Sequence, residues 1–178
     1  MKMRFVLVCG LILSVVTSKA QTAFEEISAD PNKSASVYYA YPEISEQYTL
    51  PPEGYTPFYI SHYGRHGSRY LISDSEYQTV MEILDKADAV GFLTDKGKSV
   101  RSRLKVVWRD AEGLGGQLTP LGYRQHRSIS ERMFYNFPDV FKGKRKISAC
   151  STVVIRCALS MATFCETLKG LNPCLLYT

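Results

Sequence analysis

The order of patterns along this chain predicts an α/β fold: a central, mainly parallel sheet with flanking helices and a helical insert. Three observations lead there. The aromatic and β-branched run Phe58-Tyr-Ile60 follows the turn-forming Pro51-Pro52-Glu-Gly54 and stops at Gly64, which is the pattern of a buried strand. Helical periodicity then dominates as far as Asn136, and a second strand-like run, Lys144 to Thr152, leads through a polar turn into an apolar-faced helix. Strand, helices, strand, helix is the order produced by parallel strands joined through crossover helices.

Each element has its own signals. Lys2 and Arg4 precede an apolar run from Phe5 to Val16, and Ser18-Lys-Ala20 places small residues at the spacing a signal peptidase reads. Residues 1–20 therefore read as a signal peptide cleaved before Gln21. The apolar run, about twelve residues, is short of the roughly twenty a spanning helix needs, so the membrane is met only in transit during export. Cys9 lies inside this run, too early for a lipoprotein anchor. Residues 21–178 are left as the folded domain. Gln21 to Leu50 is polar and Tyr-rich, with Asp30-Pro31 and Tyr41-Pro42, and reads as an irregular segment packed over that domain.

Asp74 or Ser75 can cap a helix reaching about Val90, with Tyr77, Val80, Met81 and Leu84 at helical spacing and Gly91 ending it. A second helix starts at Thr94 or Asp95, includes Val100, Leu104, Val107 and Trp108, and ends in Gly113, Gly115 and Gly116. Together they form the helical insert, at about 74–117. The second helix carries Lys96, Lys98, Arg101, Arg103 and Lys105, which read as a solvated face before they read as a polyanion contact. Thr119 is the N-cap and Pro120 the first-turn residue of a third helix, where the missing N–H of proline costs nothing. It runs through His126, Ile129, Met133 and Phe134 to Asn136, with His126 taken as structural or exposed. The last helix begins at Arg156, contains Ala158, Met161, Phe164, Cys165 and Leu168, and ends at Gly170, Asn172 and Pro173.

The composition, 45% hydrophobic and 22% charged over 178 residues, is that of an ordinary globular protein. The net charge of +5 falls to near +2 once Lys2, Arg4 and Lys19 leave with the signal peptide. That is too little for a general nucleic-acid surface. Cys150, Cys157, Cys165 and Cys174 remain, in a chain that meets an oxidising compartment, so disulfides can form. Cys157 and Cys165 cannot pair with each other, being about 12 Å apart along a helix axis. No cysteine spacing matches a zinc site.

The chemistry concentrates after the first apolar run, in Arg65-His66-Gly67-Ser68-Arg69. Strand ends are where α/β proteins keep their ligands. The flanking glycines let the backbone turn sharply and a ligand approach it closely. Arginines bind phosphate bidentately, and fixed positive charge beside an imidazole favours its neutral, nucleophilic form. An imidazole aimed at a phosphorus held by guanidiniums suits phosphoryl transfer through a phosphohistidine. His62 and His66 would make a metal pair only on a helix, whereas this segment reads as a strand running into a loop. Tyr63 or His62 is the expected support of the loop.

Arg65-His66-Gly67-Ser68-Arg69 resembles the Arg-His-Gly-x-Arg signature of the histidine acid phosphatases, the phytase branch of the histidine phosphatase superfamily. Leu118-Thr-x-x-Gly122-x-x-Gln125 is similar to that family's helix opening after the variable insert. Ser151-Thr152 followed by Arg156 resembles the point where its third phosphate-binding arginine enters. The resemblance implies a histidine phosphatase-like fold without a cofactor. It implies His66 as the nucleophile, and Arg65, Arg69 and Arg156 as the phosphate pocket. It implies a secreted or periplasmic phosphomonoesterase acting on a small phosphate ester. The Arg-His-Gly-Ser-Arg-Tyr wording looks most like the multiple inositol-polyphosphate phosphatases, which makes phytate the expected substrate and a broad-specificity acid phosphatase the alternative. A cytosolic mutase of the same superfamily would need no export signal.

Two departures stand out. Leu71 takes the place where the family often has proline, which alters loop rigidity more than chemistry. Family members are much longer and carry a late His-Asp or His-Ala-Glu element that protonates the leaving alcohol; none occurs here. The expectation is therefore an N-terminal portion of such an enzyme, with little or no turnover of its own, or a phosphate-ester-binding remnant.

Overall fold

The structure is a computed structural model that describes residues 22–44 and 48–177; the expected signal peptide and Cys9 lie outside them. The chain divides into two units, residues 1–39 and 40–178. In the first, α1 (Ala23–Ala29) starts at a capping box in which Glu25 N–H donates to Thr22 Oγ1 and Thr22 N–H to the Glu25 carboxylate. A 3-10 helix (Pro31–Tyr38) follows, broken at Ser36, where φ is +49°. The expectation of an irregular segment is thus corrected over these residues. Thr22-x-x-Glu25 is a readable helix start, and the polar composition of the segment masks it.

The second unit is mostly helical around a small parallel sheet. Its elements are α2 (Asp74–Ala89), α3 (Asp95–Ala111), α4 (Pro120–Asn136), the single turn α5 (Pro138–Phe141), β1 (Lys146–Ile147), α6 (Ile155–Leu171) and β2 (Leu176–Tyr177). β1 and β2 pair in parallel, Lys146 opposite Leu176 and Ile147 opposite Tyr177. With α6 between them they form a strand–helix–strand crossover, which fits an α/β class, although no strand was expected at Leu176–Tyr177.

The expected buried strand at Phe58–Ile60 does not form. Phe58 and Tyr59 are 86% and 71% exposed, and only Ile60 packs against the core. Residue pattern marks a segment that can pair, but a ladder also needs a partner backbone, and among the described residues this segment has none in strand geometry. The core is small. Phe141, Leu168 and Leu175 are buried at its centre, ringed by Met133, Phe134, Phe137, Ile147, Phe164 and Tyr177. β2 is tied to α6 where the Tyr177 hydroxyl donates to the Cys165 carbonyl at 2.7 Å, and burial there pushes the phenol pKa up to about 12.

The insert is a helical hairpin. Tyr77 of α2 meets Trp108 of α3 at 5.9 Å between ring centroids. Arg101 of α3 reaches Asp85 at 2.5 Å and Asp88 at 2.9 Å, and Lys105 reaches Asp85 at 3.2 Å. Part of the basic face of α3 is therefore spent on the neighbouring helix. The cap of α2 is Ser73, one residue before the expected pair, with its N–H donating to Glu76 Oε2 at 3.0 Å. Among the described residues, Cys150, Cys157, Cys165 and Cys174 are all free thiols. Among the described residues no helix is long and apolar enough to cross a membrane.

Candidate active site

The loop from Arg65 to Leu71 is held from three directions, and the bonds that hold it are mostly to its backbone. From α4, Thr119 N–H and Oγ1–H both donate to the Ser68 carbonyl at 2.9 Å, while Ser68 N–H donates to Gln125 Oε1 at 2.8 Å. From α6, Ser160 Oγ accepts from Gly67 N–H at 3.1 Å. From the hairpin, Tyr77 accepts from Leu71 N–H at 2.9 Å, and the Tyr70 hydroxyl donates to Asp110 at 3.1 Å. Arg69 and Leu118 form an antiparallel bridge, flanked by Tyr70 N–H to the Gln117 carbonyl and Gly116 N–H to the Leu71 carbonyl.

These contacts explain two glycines. A Cβ on Gly67 would lie 2.5 Å from the Gly122 carbonyl oxygen, and a Cβ on Gly122 would lie 2.4 Å from that of Ser68. Loop and helix N-terminus meet backbone to backbone, which only glycine permits. Thr119 Oγ1 also caps α4 through Gly122 N–H at 3.1 Å. The Arg-His-Gly-Ser-Arg and Leu-Thr-x-x-Gly-x-x-Gln segments are thus two sides of one contact, fifty residues apart in sequence.

His66 is half-buried, and its Nδ1 lies 2.8 Å from the Gly67 carbonyl. A carbonyl oxygen can only accept, so Nδ1 carries the proton and, in the neutral ring, Nε2 carries the lone pair. Arg69 donates from Nη1 to the Tyr70 carbonyl at 2.7 Å. The Arg65 guanidinium lies over the Tyr41 ring, 5.2 Å from its centroid, and the Tyr41 hydroxyl donates to the Arg65 carbonyl.

Arg156 is the second residue of α6, where the helix dipole disfavours a cation. It lies four residues, about 6 Å along the axis, before Ser160, the residue that binds Gly67. Its Nη1 is 3.7 Å from where a Gly116 Cβ would sit, so the side chain runs toward the Gly116 to Ile72 side of the loop. Among the described residues, its buried Nε meets no hydrogen-bond partner. The structure therefore places Arg65, His66 and Arg69 on one stapled loop and sets Arg156 on the helix that staples it.

Three further residues belong to this neighbourhood. Ser160 was detectable in principle, since it is four residues after Arg156 and so on the same helix face. Tyr41 carries no such signal. His126, expected to be structural or exposed, is 5% exposed. Its ring meets Tyr41 edge-on at 5.9 Å. Burial lowers its pKa, with smaller contributions from His62 and His66, while a hydrogen bond to the Arg65 backbone pulls the other way. Of the two expected loop supports, His62 stacks on Phe164 of α6 with 5.2 Å between centroids, and desolvation there lowers its pKa. Tyr63 is fully exposed and supports nothing. Among the described residues no cluster of three or more His, Cys, Asp or Glu could hold a metal ion.

Compared with known proteins, the chain matches no family model and no curated protein.

Proposed function

We propose that this chain carries the phosphate-capture and attack half of a histidine acid phosphatase acting on phytate or another inositol polyphosphate in a secreted or periplasmic setting. The observation that carries the reading is the His66 tautomer. With Nδ1–H committed to the Gly67 carbonyl, Nε2 is the nucleophile on a loop flanked by Arg65 and Arg69. Nε2 attacks phosphorus, the N–P bond forms as the ester P–O bond breaks, and the electron pair leaves on the alcohol oxygen. Water then takes the phosphoryl group and returns His66. Guanidiniums meet the charge on the phosphoryl oxygens throughout.

The leaving alkoxide needs a proton. The sequence has three histidines, followed by Tyr63, Gly67 and Arg127, so it contains no His-Asp or His-Ala-Glu element to supply one. That observation favours a second reading, a phosphate-ester-binding remnant without turnover. Esters of strongly acidic alcohols separate the two functions, because their leaving groups depart unprotonated.

Binding of inositol hexakisphosphate, measured calorimetrically, tests the pocket. Arg65→Ala, Arg69→Ala and Arg156→Ala are each expected to weaken binding on the order of tenfold or more, and unphosphorylated inositol should not bind. Equal affinity in all three variants would remove the proposed pocket.

A further inference from the structure

We propose that Tyr41 and His126 are positioning residues that hold Arg65 ready for a phosphate, with the Tyr41 ring as the platform and His126 as its buttress. The inference rests on the phosphatase reading above and assigns that site two residues no signature contains.

An arginine on an exposed loop must lose the freedom of a long side chain before both of its nitrogens can meet an anion. Arg65 is such a residue. Tyr41 addresses it at two points at once. Its hydroxyl donates to the Arg65 main-chain carbonyl, fixing where the side chain starts. Its ring face lies under the guanidinium at 5.2 Å, restricting where the side chain ends while leaving the edge of the guanidinium plane, which binds oxyanions, uncovered by the ring.

The platform is itself held. Tyr41 precedes Pro42, which biases its backbone to an extended conformation. The His126 ring packs against it edge-on, at an interplanar angle of 76°. The Arg65 backbone is near enough to His126 to pull its pKa up against the effect of burial. Burial keeps both rings uncharged near neutrality, raising the phenol pKa and lowering that of the imidazole. A neutral buttress adds no repulsion to Arg65. Buried as it is, His126 has an Nε2 that meets no partner among the described residues.

The test measures inorganic phosphate binding in the intact chain together with its Tyr41→Phe, Tyr41→Leu and His126→Leu variants, each in an Arg65 and an Arg65→Ala background. Tyr41→Phe keeps the platform and loses the hydroxyl, and is expected to weaken phosphate roughly threefold. Tyr41→Leu loses both and is expected to weaken it about tenfold. In the Arg65→Ala background both effects should vanish, a coupling that a merely structural role would not produce. The Arg65 Nε–H resonance reports the brace without phosphate: its ring-current shift should persist in Tyr41→Phe and disappear in Tyr41→Leu. Unchanged phosphate affinity in Tyr41→Leu, or the same loss in both backgrounds, overturns the inference while the phosphatase reading stands. A wild-type chain that shows the ring-current shift but binds no phosphate overturns the phosphatase reading and takes this role with it.

Discussion

At the scale of single residues, the site depends on what backbone contacts demand. Gly67 is needed because its α-carbon faces Gly122 too closely for any side chain. Gly67→Ala must push the loop off α4, breaking some of the bonds that Ser68 makes to Thr119 and Gln125. We expect a loss of about 1–3 kcal/mol in denaturant unfolding and loss of phosphate binding; wild-type stability and binding would show that loop and helix do not meet this closely. Ser160 acts by the same logic. It accepts the Gly67 N–H in a buried position, and Ser160→Ala strands that donor at a cost of about 1–3 kcal/mol, whereas Ser160→Thr retains an acceptor.

At the scale of elements, legibility follows the range of the interaction. The start of α4 can be read in the sequence because capping is local: Thr119, Pro120 and Gly122 lie within four residues, and the helix begins at Pro120 as expected. Thr119 does more than cap, since it also donates to Ser68. Thr119→Ala should therefore exceed the usual cap loss of about 1 kcal/mol, and Thr119→Ser should recover most of it. The α2–α3 hairpin and α6 are legible for the same reason of periodicity, whereas no pattern marks β2, whose two residues pair with β1 across α6. The strand at Phe58–Ile60 is not legible, because an aromatic, β-branched run states a propensity while pairing depends on a distant backbone. Tyr41 escapes detection similarly: its bond to Arg65 joins residues 24 apart, and neither helical nor strand periodicity marks it.

Across the whole molecule, burial of titratable groups couples the site to stability. His126 has its pKa lowered by burial and by nearby His62 and His66, against the opposing bond to the Arg65 backbone. A histidine depressed in the folded state binds fewer protons there than in the unfolded chain. Its contribution is then fully present above the unfolded value, about 6.5, and is lost as pH falls from there through the folded value. Unfolding midpoints should drop as pH falls below about 6.5, and His126→Gln should flatten part of that drop. A wild-type chain with constant stability over this range would contradict the buried neutral histidine.

The central claim is that His66 Nε2 attacks phosphorus, and it is tested most directly by trapping the adduct. The chain is mixed with 2,4-dinitrophenyl phosphate, whose leaving group needs no proton, then quenched and mapped by mass spectrometry. The account predicts an acid-labile, alkali-stable phosphoryl group on His66, approaching one per chain and absent from His66→Ala. No adduct, or one that survives His66→Ala, would contradict it.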